Sequence, residues 1–183
     1  AIAAAKVAAD AIDGSIARAL RATDERPACG AGCNYCCRGV RVDASIPEIA
    51  RIVDHAERTF DQESLERVRS RARTNAEQTH GKQVLQYPLR LPCALLGDDG
   101  KCLAYGVRPD TCRNEHSKSA EQCKEGHDSQ KLGVDVPIDR IFALQAAGGM
   151  VVVAAAQGVE RATGDAAPYE LQEALHIALS DRK

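Results

Sequence analysis

Four of the nine residues from Cys29 to Cys37, CGAGCNYCC, are cysteine, and two of the spacers are glycine. Thiolates this close repel one another, so each resists ionising unless a cation offsets the charge. A bound metal or cluster removes that repulsion. Gly30 and Gly32 let the backbone curl round an inorganic core and turn N–H groups toward sulfur. Side chains of adjacent residues diverge, so one of Cys36 and Cys37 is expected to ligate here. The other would complete a second site, bridge, or be buried. Cys93, Cys102, Cys112 and Cys123 follow singly, and no cysteine lies before residue 29 or after 123.

Structural zinc sites commonly pair two CxxC knuckles, and this chain has one, Cys33 to Cys36. The spacing Cys29-x3-Cys33-x2-Cys36 instead matches one that ligates a [4Fe–4S] cluster. An iron–sulfur cluster is therefore the leading cofactor reading and zinc the alternative, with all eight cysteines as candidate ligands. The same spacing occurs in radical S-adenosylmethionine enzymes, whose cysteine loop follows a strand of a β/α barrel. Here a helix precedes the loop and no βα repeats follow. Disulfides stay open as a competing use of eight thiols; burial as small core hydrophobes is opposed by the clustering. His116 and His127 follow Cys112 and Cys123 with the same gap, in CRNEH and CKEGH, so a Cys2His2 site is a further arrangement to test. His55, His80 and His176 are expected on helix surfaces or ends.

With 183 residues the chain can bury a core without disulfides. Its formal net charge of -2, from 24 Lys+Arg against 26 Asp+Glu, gives no case for nucleic acid or an anionic membrane as a partner. Two Phe, four Tyr and no Trp supply no base-stacking platform. Lys6, Asp10 and Asp13 interrupt any signal-peptide core, and no later stretch is read as apolar for a membrane span. A cytoplasmic protein is expected.

These donors must be positioned by a mainly α fold, one small helical domain over 1–183 around a cysteine-rich centre with a short β-hairpin. Ile12, Ile16 and Leu20 mark a helix within 1–24. VRVDA alternates like a short strand, and Ser45-Ile46-Pro47-Glu48 reads as a capping box opening a helix at 46–59. A second, at 62–80, buries Leu65, Val68, Ala72 and Ala76 and ends at Gly81. Its Arg67, Arg69, Arg71 and Arg73 read as a solvated face, with Glu63 paired to Arg67. Gly97-Asp98-Asp99-Gly100 marks a hairpin within 87–112 that brings Cys93 near Cys102. Residues 114–134 are read as irregular. The second helical flank, 136–181, buries Ile141, Leu144, Gly148, Val151, Val152, Ala155 and Val159, then Leu171, Leu175 and Leu179. Gly148-Gly149 weakens the case for one continuous helix, and a strand through MVVVAAA is the alternative.

Together CGAGCNYCC, the V-x-V segment leading to Pro47-Glu48, PCALL-GDDG-KCLAY and especially YGVRPDTCR resemble the YkgJ-type cysteine-cluster family, described as zinc- or iron-chelating or iron–sulfur proteins. The resemblance spans 29–113. It implies a bacterial, intracellular metal-binding domain in which Cys29, Cys33, Cys36, Cys37, Cys93, Cys102 and Cys112 match the family pattern, with Cys123 beyond it. It further implies that Arg108 and Arg113 donate to sulfur or to backbone carbonyls around the centre, and that Tyr105 packs on it; simple surface cations are the alternative. The family includes a flagellin lysine N-methylase, whose activity does not carry over.

The functional expectation is a metal-binding protein with a structural, redox or sensing cluster. Zinc or copper storage and delivery is the alternative. Whether the chain is an enzyme stays open, since the sequence offers no separate base, Ser/His/Asp set or phosphate loop. A redox or protein partner cannot be named from it.

Overall fold

The computed structural model describes residues 2–30, 32–39, 41–82, 91–129, 137–164 and 167–180. Seven α-helices lie among them: α1 Ile2–Arg21, α2 Ile46–Thr59, α3 Gln62–Thr79, α4 Asp110–Arg113, α5 Ala120–Ser129, α6 Phe142–Thr163 and α7 Leu171–Ser180. Two short strands, β1 Asp43–Ala44 and β2 Tyr169–Glu170, pair antiparallel, with Asp43 opposite Glu170 and Ala44 opposite Tyr169. The mainly helical fold is thus as read from periodicity.

Local chemistry sets the helix starts. Glu48 Oε2 accepts from the Ser45 N–H at 2.7 Å, the expected capping box, while Pro47 sits in the first turn of α2. Its other oxygen accepts from the Asp110 N–H at 2.8 Å, so the same carboxylate also fixes the start of α4. Asp61 caps α3 by accepting from the Ser64 N–H at 2.7 Å. Gly81, at φ +69°, lets the chain leave that helix.

One apolar core joins Ile49, Ile52 and Val53 of α2, Val68 and Ala72 of α3, and Leu171, Leu175 and Leu179 of α7. Ala94, Leu95 and Ala104 extend it, and Cys93 and Cys102 pack against it. The thiols therefore rest on a rigid floor. α1 lies along α6, where the Ser15 hydroxyl donates to the Ala147 carbonyl at 3.0 Å.

Four expectations change. The hairpin at 91–103 narrows to a turn with a single antiparallel bridge, Leu96 to Cys102, closed by Leu103 N–H to Leu95 O at 2.9 Å; residues 87–90 of that expectation lie outside those described. Residues 120–129, read as irregular, form α5, and Cys123 is on it. The polar composition hid a helix whose only buried residue is Gly126. α6 is continuous through Gly148-Gly149, because Asn114 packs against it there and donates to the Gln145 carbonyl at 3.1 Å. Finally, Phe142–Ala162 is long and apolar enough to cross a membrane by length and composition, with 11% of that stretch buried. This corrects the reading that no such stretch exists; the alanines and glycines that carry it are individually weak hydrophobic signals. Ile141 and Leu144 are buried as expected, whereas Val151, Val152, Ala155 and Val159 are half-buried.

Candidate metal centre

The loop that carries the first four thiols is built by turns. The Cys33 N–H closes a turn onto the Gly30 carbonyl at 3.0 Å, and Gly32 takes φ +92°, a conformation that disfavours any residue with a Cβ. A 3-10 turn, Cys36–Arg38, follows. Asn34 fastens the loop to the hairpin turn, its side-chain amide donating to the Gly100 carbonyl at 3.1 Å.

Cys29, Cys33, Cys36, Cys37, Cys93, Cys102 and Cys112 all line one cavity of about 490 Å³. Tyr105, Arg108, Arg113, His116 and Gln172 complete the parts of its wall that bear on the chemistry. Residues that are 83 positions apart in sequence, Cys29 and Cys112, thus face a common space. All eight cysteines are free thiols in this structure. Cys36 lines the cavity and is exposed.

Burial raises the thiol pKa at Cys29, Cys33, Cys93, Cys102 and Cys112, and Cys102 is pushed up to about 11. Neighbouring thiolates add to this: Cys93, Cys36 and Cys102 all oppose ionisation of Cys112. Cys36 and Cys37 do not diverge as expected. The Cys37 thiol donates to the Cys36 sulfur, which lowers the pKa of Cys36 and raises that of Cys37. Cys36 is therefore the first of the pair to ionise.

Groups outside the cysteine motif support the sulfurs. The Ser117 N–H donates to Cys29 Sγ at 3.2 Å, and Gln172 Nε2 approaches Cys93 Sγ at 3.5 Å. Gln172 is buried, its carbonyl oxygen accepting from the Ala94 N–H and from Asn75 Nδ2, each at 2.9 Å. Arg71 Nη1 donates to the Leu96 carbonyl at 2.6 Å. Sequence reading missed Gln172, although helical register places it beside Leu175 and Leu179 on the buried stripe of α7. It also misread Arg71 as part of a solvated face; the arginine braces the turn that presents Cys93. Arg67 pairs with Asp98 at 3.0 Å.

Arg108 and Arg113 play different parts. The Arg108 guanidinium lies 4.0 Å over the Tyr105 ring and favours ionisation of Cys102 and Cys112. Arg113 is 3% exposed; it donates to the Arg108 carbonyl at 3.1 Å, to the Gly106 carbonyl at 2.5 Å and to Asp13 at 2.6 Å. It ties α1 and α4 to the turn before the last cavity cysteine. Tyr105, half exposed, stands at the rim.

His116 borders the cavity, and its Nε2 is buried without a hydrogen-bond partner. Burial lowers its pKa, which favours the neutral imidazole that metals bind. His127 turns elsewhere, its ring 5.8 Å from that of Tyr35 and its Nδ1 3.0 Å from Asp128. The Cys112, His116, Cys123 and His127 set is therefore not assembled among the described residues, because Cys112 and His116 line the cavity while His127 packs on Tyr35. His80 is exposed, and His55 and His176 are half-buried, as anticipated for helix surfaces and ends.

Among the described residues, no three His, Cys, Asp or Glu side chains stand close enough together to hold a single ion. The cavity is thus ringed by donors rather than closed on one mononuclear position. A thiol-rich wall with an orphaned imidazole nitrogen fits a soft or borderline metal, or a polynuclear centre, better than a hard cation.

A family model described as "CxxCxxCC: Putative zinc- or iron-chelating domain" matches residues 28–131, more than half of the chain. The chain belongs to the CxxCxxCC family. No significant match was found among curated proteins or among solved structures. The CxxCxxCC description carries metal binding, by zinc or iron, and does not choose between them. Its match runs past Arg113, where the sequence resemblance weakens, and takes in Cys123 and both candidate histidines. The CxxCxxCC segment includes every cysteine of the chain.

Proposed function

We propose that this protein holds an iron–sulfur centre in the cysteine-lined cavity and uses it for electron transfer or sensing in a reducing, cytoplasmic setting. The observation that carries the reading is the pairing of seven thiols round about 490 Å³ with the lack, among the described residues, of any three donors at single-ion reach. A polynuclear core spaces its ligands more widely than one zinc ion does. The Cys29-x3-Cys33-x2-Cys36 spacing supports the same choice. When bound, a cluster supplies one-electron chemistry; the chain's part is to exclude water with Leu95 and Leu171, to direct the Ser117 and Gln172 donors at sulfur, and to set positive charge nearby through Arg108.

Exposure of Cys36 supports a second reading, in which the thiols take up zinc or copper and pass it on through that residue. Composition of the bound metal separates the two. Protein purified anaerobically is expected to be brown, with iron and acid-labile sulfide in comparable amounts. A colourless protein with stoichiometric zinc would remove the cluster and leave a zinc protein.

A further inference from the structure

α3 carries an arginine at every second position from Arg67 to Arg73, and the structure divides the four into two pairs, each one helical turn apart. Arg67 and Arg71 are taken up by fixed partners. Arg67 Nη1 donates to Asp98 and Nη2 to Ser64, each at 3.0 Å, and Arg71 Nη1 donates to the Leu96 carbonyl at 2.6 Å. Arg69 and Arg73 instead border α7 and have no hydrogen-bond or ion-pair partner among the described residues. Arg69 is half-buried, and its Nε–H is closed off from water with no acceptor. A donor left in that state is costly, and an incoming oxygen would satisfy it.

Both free guanidiniums line a groove of about 270 Å³ between the two helices. Glu66, Arg69, Ser70 and Arg73 form its α3 wall, at the i, i+3, i+4 and i+7 spacing that puts side chains on one face. His176 and Ser180 form the α7 wall, one turn apart, with buried Leu179 between them. Val68 and Ala72 of α3 join Leu175 and Leu179 in the core, which holds the two walls at a fixed separation. Ser180 Oγ and His176 Nδ1 are 3.2 Å apart, so Nε2 is the ring nitrogen left for a further partner. Glu66 is the one carboxylate among the lining residues, against two guanidiniums. The volume falls short of the roughly 300 Å³ at which sites for drug-sized ligands begin, so the groove suits a small charged group.

We infer that the groove between α3 and α7 binds a phosphate group, held by Arg69 and Arg73 from one wall and by His176 from the other. Guanidinium forks match phosphate oxygens two at a time. With the Ser180 hydroxyl donating to Nδ1, the His176 imidazole carries its proton on Nε2 and offers it as a third donor. Donors on two helices enclose a tetrahedral dianion from both sides. A planar monoanionic carboxylate would occupy one fork and leave the second guanidinium without a counter-charge. The groove shares no residue with the cysteine-lined cavity, so the inference stands whether or not the thiols hold metal.

Titration of the full-length protein with inorganic phosphate at constant ionic strength tests the site. The Arg69 Nε–H signal, observable by NMR because that group is shielded from solvent, is expected to shift saturably in the wild type, which needs no variant to fold. Arg69→Met and Arg73→Met are each expected to weaken binding about tenfold or more, since each removes charge-assisted hydrogen bonds. Arg69→Lys keeps the charge but loses the fork and is expected to weaken it too. Glu66→Gln removes the neighbouring negative charge and should tighten binding; weaker binding there would contradict an anion in the groove. Phenyl phosphate that binds more tightly than inorganic phosphate assigns the site to a phosphate ester, and equal or weaker binding assigns it to the free ion. Succinate binding more tightly than either would overturn the phosphate assignment. An unmoved Arg69 signal, or an affinity unchanged in Arg69→Met/Arg73→Met, would overturn the inference.

Discussion

Gln172 Nε2 lies 3.5 Å from Cys93 Sγ, although 79 residues separate them. The contact exists because β2 pairs with β1 and the Leu171 N–H donates to the Val42 carbonyl at 2.8 Å, which seats the first turn of α7 at the cavity wall. One amide thereby serves a sulfur, the Ala94 N–H and Asn75.

Gln172→Leu keeps the volume and leaves the Ala94 N–H and the Asn75 amide short of an acceptor. Unpaired buried donors cost about 1–3 kcal/mol, so urea unfolding is expected to show a lower midpoint with an unchanged slope. A wild-type midpoint would mean the buried amide contributes nothing. Metal content should fall as well, since Cys93 loses its donor.

Arg113→Met removes a cation that spans α1, α4 and the Gly106 turn. Its partner Asp13 is half exposed and remains solvated when left alone, so the loss is chiefly that of charged hydrogen bonds to two carbonyls. We expect about 2–3 kcal/mol in chemical denaturation. Arg108→Ala, which breaks one carbonyl bond and the stacking on exposed Tyr105, should cost clearly less. Equal losses would contradict the assignment of Arg113 as the structural tie.

Gly148 and Gly149 should respond oppositely to alanine. A Cβ on Gly148 would sit 2.1 Å from Asn114 Oδ1, whereas at Gly149 the nearest atom is 3.8 Å away. Overpacking at Gly148→Ala is expected to destabilise by about 1–3 kcal/mol even though alanine is the better helix former. Gly149→Ala should be neutral or slightly stabilising in thermal melts. The reverse order would show that Asn114 does not pack into α6.

Cys33→Ser is expected to lower metal content sharply and to lower the melting temperature of the metal-loaded protein toward that of chelator-treated wild type. Metal that binds only the folded chain stabilises by ~2.7 kcal/mol when about a hundredfold above Kd. If chelation leaves the melting temperature of wild type unchanged, the metal is not linked to folding.

Much of the fold is local and was legible for that reason. The capping box at Ser45 and Glu48, the stripe Leu171, Leu175 and Leu179, and the limits of α2 follow from hydrogen bonds and periodicity within a few residues. The choice of thiol chemistry was legible too, because crowding of Cys29, Cys33, Cys36 and Cys37 is a property of the chain itself. Tertiary structure decided what depends on distance through space. It brought Cys93, Cys102 and Cys112 to the same cavity as the loop thiols and turned His116 but not His127 to that cavity. It also made Asn114 the support of a helix with two glycines, and Gln172 and Arg71 supports of Cys93. Spacing along a chain cannot carry these relations, since a buried amide or imidazole finds its partner only after distant helices have packed.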